Sequence, residues 1–174
     1  MNILNFENKF ISKTYLTIGI LGKSYKLNIK YTTSNSVDLI KKEDKIELIL
    51  PKKYKNINNK EVINCAIKKL YSEIAKEELE YSLELVRHIL KFAPEDYKIE
   101  RMENSFCMVK NKVLIINPDI IQYSREIINT TLIRQFCKIQ FKTNSKSYKL
   151  ALAEGIEKYE DYKYLSTKEQ PIAI

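Results

Sequence analysis

Four stretches near the start of the chain alternate apolar and polar residues or gather β-branched ones: Thr14–Ile20, Tyr25–Tyr31, Ser36–Lys41 and Lys45–Leu50. A period of two places every other side chain on one face, so each stretch predicts a half-buried strand. Leu21-Gly22-Lys23 and Lys42-Glu43-Asp44 punctuate the run like hairpin turns, and the expected arrangement is an antiparallel meander with one buried face.

From Asn58 the period becomes helical. Val62, Ile63, Ala66, Ile67, Leu70, Ile74, Leu79, Leu83, Val86, Ile89 and Leu90 recur at steps of three and four, predicting a long helix that ends before Pro94. Asn58 followed by Glu61 reads as its start, the Asn oxygen capping a free amide and the Glu reaching back. The apolar spacing slips at Glu78–Tyr81, where one break is expected.

Lys98–Met108 and Lys112–Ile116 predict a β-hairpin turning at Lys110-Asn111. After Asn117-Pro118 the helical period returns, with Ser124 capping a helix through Ile127, Ile128, Leu132, Ile133, Phe136 and Ile139. Ser145 caps a last helix through Leu150, Leu152 and Ile156. Strands, long helix, hairpin and two helices make an α+β order.

With 174 residues, 44% of them hydrophobic, the chain is sized for one core, and only 3 Gly and 4 Pro leave no candidate linker or low-complexity stretch. One domain over 1–174 is expected. Met1–Lys13 lacks the pattern of a signal peptide, and Leu16–Leu21 is too short to span a bilayer, so the expected location is the cytoplasm, with no membrane partner. Cys65, Cys107 and Cys137, odd in number and widely spaced, are no disulfide framework and read as small buried hydrophobes.

A net charge of +8 raises the question of nucleic acid. Only four of the 30 basic residues are arginines, the residue favoured for bidentate phosphate and base contacts. The excess of Lys alongside Asn and Ile reads first as a compositional bias that governs solubility.

The stretch Ile128-Asn-Thr-Thr-Leu-Ile-Arg-Gln-Phe-Cys-Lys-Ile139 resembles the metal-site helix of YgjP-like and related SprT-like metallopeptidases, Ile-x-Tyr-Val-Val-Val-His-Glu-Leu-Cys/Ala-His-Leu. Laid on it without a gap, Arg134 and Lys138 fall at the two zinc-binding histidines and Gln135 at the catalytic glutamate. Thr143-Asn-Ser-Lys-Ser-Tyr148 is similar to the family's Asn-His-Ser-Lys-x-Phe, with Asn144 at the third histidine. Arg101-Met-Glu-Asn-Ser-Phe-Cys107 and Val113-Leu-Ile-Ile-Asn117 resemble its Arg-x-Met-Lys-x-x-Trp-Gly-Ser-Cys strand and Ile-x-Leu-Asn segment, Phe106 standing for the Trp. Leu21–Leu27 and Ile46–Pro51 look like its opening β-hairpins, so the likeness spans about residues 14–165, with tails at 1–13 and 166–174. It implies a zincin-like fold.

The resemblance also implies that the chemistry has been replaced. Residues four apart on a helix share a face, which lets two histidines hold one zinc beside a glutamate poised over its water. Arg134 and Lys138 keep that spacing and invert its charge, and neither offers a neutral nitrogen lone pair near neutral pH. Gln135 cannot accept a proton from a bound water as a carboxylate does, and Asn144 alone is a poor zinc ligand. The chain holds one histidine, His88, which reads as a surface or core residue of the long helix. No cofactor and no metal are expected, and Glu95-Asp96 and Glu160-Asp161 read as solvated loop charges.

The first expectation is therefore a catalytically inactive, metallopeptidase-like binding or scaffold module, whose former cleft holds a peptide or protein partner through Arg134, Gln135, Lys138 or Asn144. The alternative is a nucleic-acid- or anion-binding protein using the cationic row Arg134, Lys138 and Lys142, whose mutual repulsion is otherwise relieved by acids such as Glu154 or Glu100. A second alternative is a hydrolase of unrecognised mechanism.

Overall fold

The computed structural model describes residues 17–55 and 59–168. Among them the chain forms seven strands and three α-helices: β1 (Thr17–Ile20), β2 (Lys23–Thr32), β3 (Asp38–Lys41), β4 (Lys45–Pro51), α1 (Lys60–Leu90), β5 (Asp96–Ile99), β6 (Cys107–Lys110), β7 (Val113–Ile116), α2 (Arg125–Gln140) and α3 (Lys146–Lys168). Short 3-10 turns cover Lys52–Tyr54 and Pro118–Gln122. The α+β order holds.

The N-terminal sheet has the order β1-β2-β4-β3 and is not a meander, because β2 and β4 pair in parallel, from Lys26↔Lys45 to Thr32↔Pro51. β4 carries Ile46, Leu48 and Leu50, all fully buried, whereas β3 has no buried residue. The strand richest in core residues takes the interior place, and the polar one is left at the edge. Leu21 and Gly22, both at positive φ, join β1 to β2 in the two-residue hairpin geometry that matches strand twist.

Helix α1 runs unbroken for 31 residues. The slip at Glu78–Tyr81 has a simple origin: Ser82, 2% exposed, occupies an inward position where the periodicity calls for a hydrophobe, while Tyr81 faces outward. Asn58 lies outside the described residues, and the N-cap position belongs to Asn59. Its side chain makes no capping bond and instead donates to the Tyr31 hydroxyl at 2.8 Å. Lys91, in the left-handed region, closes the helix with its N–H on the Arg87 carbonyl.

The expected strand Lys98–Met108 is two strands separated by a loop. β5 pairs in parallel with β7, β6 pairs antiparallel with it, and the hairpin turns at Asn111-Lys112. Asn117 holds the loop in place, donating from its amide to the carbonyls of Met102 (2.8 Å) and Ser105 (3.3 Å) and accepting from the Asp119 N–H (3.0 Å). Arg101 ties the same loop to Asp119, to the Lys68 carbonyl and to the Ser72 hydroxyl. These bonds leave β6 at the edge of the three-stranded sheet.

Ser124 and Ser145 cap α2 and α3 as expected, accepting from the N–H groups of Ile127 (3.4 Å) and Tyr148 (3.1 Å). The inward face of α3 is Tyr148, Gly155 and Tyr159 rather than Leu150, which is 57% exposed. The helix continues through 166–168, the first part of the expected tail. Phe136, Leu132, Ile128 and Ile133 of α2 join Leu79 and Val86 of α1 and the inner faces of both sheets in one hydrophobic core. Among the described residues no helix is long and apolar enough to cross a membrane.

Candidate functional site

An open groove of about 500 Å³ runs between the edge strand β6 and helix α2, lined by Ser105, Cys107, Met108, Val109, Gln135, Lys138 and Thr143. Of the four positions singled out in the sequence, the fold brings two into it. Gln135 and Lys138, three apart on α2, share the face turned to β6. Arg134 is exposed and outside the lining, as is Asn144, which occupies a left-handed turn position (φ 68°) between α2 and α3.

Gln135 is 7% exposed, and among the described residues its amide bonds to no protein group; it borders the groove and is not among the fully enclosed unpartnered atoms, a state that belongs to Asn129 Oδ1. Lys138 is the one charged residue lining the groove. Among the described residues neither it nor Arg134 nor Lys142 forms an ion pair, so the acids Glu154 and Glu100 do not relieve the cationic row.

Strand β6 offers its main chain to the groove in a defined alternation. The Asn117 N–H bonds the Phe106 carbonyl, and β6 pairs with β7 in the register Cys107↔Ile116 to Lys110↔Val113. Antiparallel alternation then turns the polar groups of Met108 and Lys110 toward β7 and those of Cys107 and Val109 to the free side. At Cys107 the free side is taken by the Ser105 hydroxyl, which accepts from the Cys107 N–H at 3.3 Å and donates to its carbonyl at 3.0 Å. Val109 remains open. Ser105 lies inside the Arg101–Cys107 match and Thr143 heads the 143–148 match, but neither was singled out in the sequence, because their role depends on this edge geometry.

Burial pushes Cys107 up to about 12, against the pull of the nearby Lys138 ammonium, and pushes Cys137 up to about 11. Cys137 is fully buried and lies outside the groove lining, and Cys65, expected in the core, is exposed on α1. His88 is exposed on the same helix. Among the described residues no three His, Cys, Asp or Glu side chains converge as a metal site would require. The donors lining the groove, a primary amide, an ammonium, two hydroxyls and the single Cys107 thiol, do not make a zinc ligand set.

A second cavity of about 230 Å³, between α1 and the start of β5, is lined among others by Leu83, Glu84, Arg87, Tyr97 and Phe136 and contains none of the four positions.

Compared with known proteins, the chain matches the family model of the YgjP-like metallopeptidase domain over residues 3–164. The match reaches past residue 14 into the stretch expected as an N-terminal tail. No curated protein and no solved structure matches it.

Proposed function

Because this chain belongs to the YgjP-like metallopeptidase family yet presents Gln135 and Lys138 in its groove, we propose that it is a non-hydrolysing member that binds a peptide or partner protein there. The observation that carries the reading is the pairing, beside a strand edge, of a groove-facing amide and an ammonium that bond to no other side chain among the described residues. In the family resemblance these positions belong to the catalytic glutamate and a zinc-binding histidine. An amide takes no proton from a water, and an ammonium repels a dication, so neither step of metal-assisted hydrolysis has a residue to perform it. The edge strand, in contrast, keeps the hydrogen-bonding groups that strand addition uses.

The test is elemental analysis of the purified full chain before and after zinc reconstitution and dialysis, with a casein cleavage assay alongside. The expected result is less than 0.1 equivalent of zinc, on the order expected when no ligand set exists, and no cleavage. One equivalent of retained zinc with cleavage would overturn the reading.

A second reading, anion or nucleic-acid binding through α2, draws on Arg134, Lys138 and Lys142 being free of ion pairs among the described residues. Salt-dependent binding of a random-sequence single-stranded oligonucleotide at low salt supports it, and no binding at low salt removes it.

A further inference from the structure

The groove has an uneven chemistry. Among the described residues its lining contains one cation, Lys138, and no acid; one amide that bonds to no protein group, Gln135; and one residue, Val109, whose main-chain N–H and C=O face outward unpaired in the sheet. A ligand that satisfies all three must bring a main-chain donor and acceptor for Val109, a group for the Gln135 amide, and a negative charge for Lys138. The apolar walls, Met108 and Val109, suit an extended chain lying on them, and no aromatic side chain lines the groove to stack a base.

Resting on the peptide-binding reading above, we propose that the groove selects acidic segments: an extended peptide adds to the free edge of β6 at Val109 and places an Asp or Glu carboxylate on the Lys138 ammonium, with the Gln135 amide donating to the same carboxylate or to the neighbouring peptide carbonyl. Lys138 is thereby a specificity-determining residue, and Gln135 its hydrogen-bonding companion. No bond is made or broken. Ser105 limits the register, because its hydroxyl already covers the outward groups of Cys107 and leaves Val109 as the point of attachment.

The test uses the full chain against a phage-displayed library of random octapeptides at low salt, repeated with Lys138→Gln and Val109→Pro. Lys138 is exposed, and Val109 lies on an edge strand with its N–H turned outward, so both variants are expected to fold, which thermal melts verify. The expected result is enrichment of peptides with Asp or Glu at one fixed position. A selected peptide should lose about five- to tenfold in affinity when that residue becomes Asn or Gln, as for a charge-assisted hydrogen bond at a partly exposed site. Lys138→Gln should erase the acidic preference while peptides still bind, and Val109→Pro should abolish binding.

Selected peptides with no acidic position, or an acidic preference that persists in Lys138→Gln, would overturn this inference and leave the peptide-binding reading standing. No enrichment of any peptide would overturn both. Binding of a single-stranded oligonucleotide that Lys138→Gln abolishes, with no peptide enriched, would replace both with the nucleic-acid reading.

Discussion

Gly22 lies against Ser124. A β-carbon placed on Gly22 would stand 2.9 Å from the Ser124 Cβ and 3.0 Å from its Cα, and Gly22 holds φ +80° in the β1–β2 turn. The contact joins the first hairpin to the residue that caps α2, the helix carrying Gln135 and Lys138. Gly22→Ala must therefore strain a left-handed backbone and displace a main chain at once, which together cost about 2–3 kcal/mol. The expected outcome is a melting temperature lower by about 4–10 °C for a domain of this size, read by differential scanning calorimetry.

Lys112 is a second residue at positive φ (62°), following Asn111 (50°) in the β6–β7 turn. A two-residue turn of this kind favours glycine there, and Lys112→Gly relieves about 1 kcal/mol of backbone strain. The substitution also removes the ion pair with Glu95, but both partners are more than two-thirds exposed, and solvent screens such pairs almost completely. The strain term is the larger, so chemical denaturation should show a net gain in stability.

Glu47 is 5% exposed beneath Lys30, Lys42 and Lys45, whose ammonium groups lie 3.1, 3.1 and 3.8 Å from its carboxylate. Hydrogen bonds from Lys42 and Lys30 hold its carboxyl below the ordinary value, against the opposing effect of burial. A carboxylate depressed in the folded state contributes stability above the unfolded value, about 4.3, and loses it as pH falls through the folded value. Glu47→Gln should therefore melt below the parent chain at pH 7, and the gap should close as melts are repeated at pH 4 and then pH 3. A gap that stays constant to pH 3 would show the ion pairs contribute nothing.

Thiol labelling separates the three cysteines. Cys65 is exposed, whereas burial holds Cys107 and Cys137 protonated, at about 12 and about 11. At pH 8 a disulfide reagent should modify one thiol rapidly and the other two only after denaturation, since the thiolate is the reacting form.

The helices were legible because their apolar period survives any packing partner, and Ser124 and Ser145 were legible because capping is local. Strand neighbours were not. Alternation in β2 and β4 marks which face is buried but not which strand lies alongside, so the parallel pair looked like part of a meander. The loop between β5 and β6 was hidden for a related reason: what breaks the stretch Lys98–Met108 is Asn117 reaching in from beyond β7 and Arg101 reaching out to the distant Lys68, Ser72 and Asp119. At the groove, spacing along one helix was enough to bring Gln135 and Lys138 together. It could not reveal that Arg134 faces away, that Asn144 stands outside, or that Ser105 sits on the strand edge.

The Ser105 hydroxyl has a meaning for the chain's solution behaviour as well as for its ligands. A short strand with a bare rim is an invitation to a second copy of itself, and many proteins guard such rims with charge or with a twist. Here a single side-chain oxygen stands in for a neighbour that is not there, engaging both polar groups of Cys107. Removing that one atom with Ser105→Ala lengthens the bare rim from one residue to two, so the variant should associate with itself more readily than the parent chain at high concentration, an effect of the hydroxyl that involves no ligand.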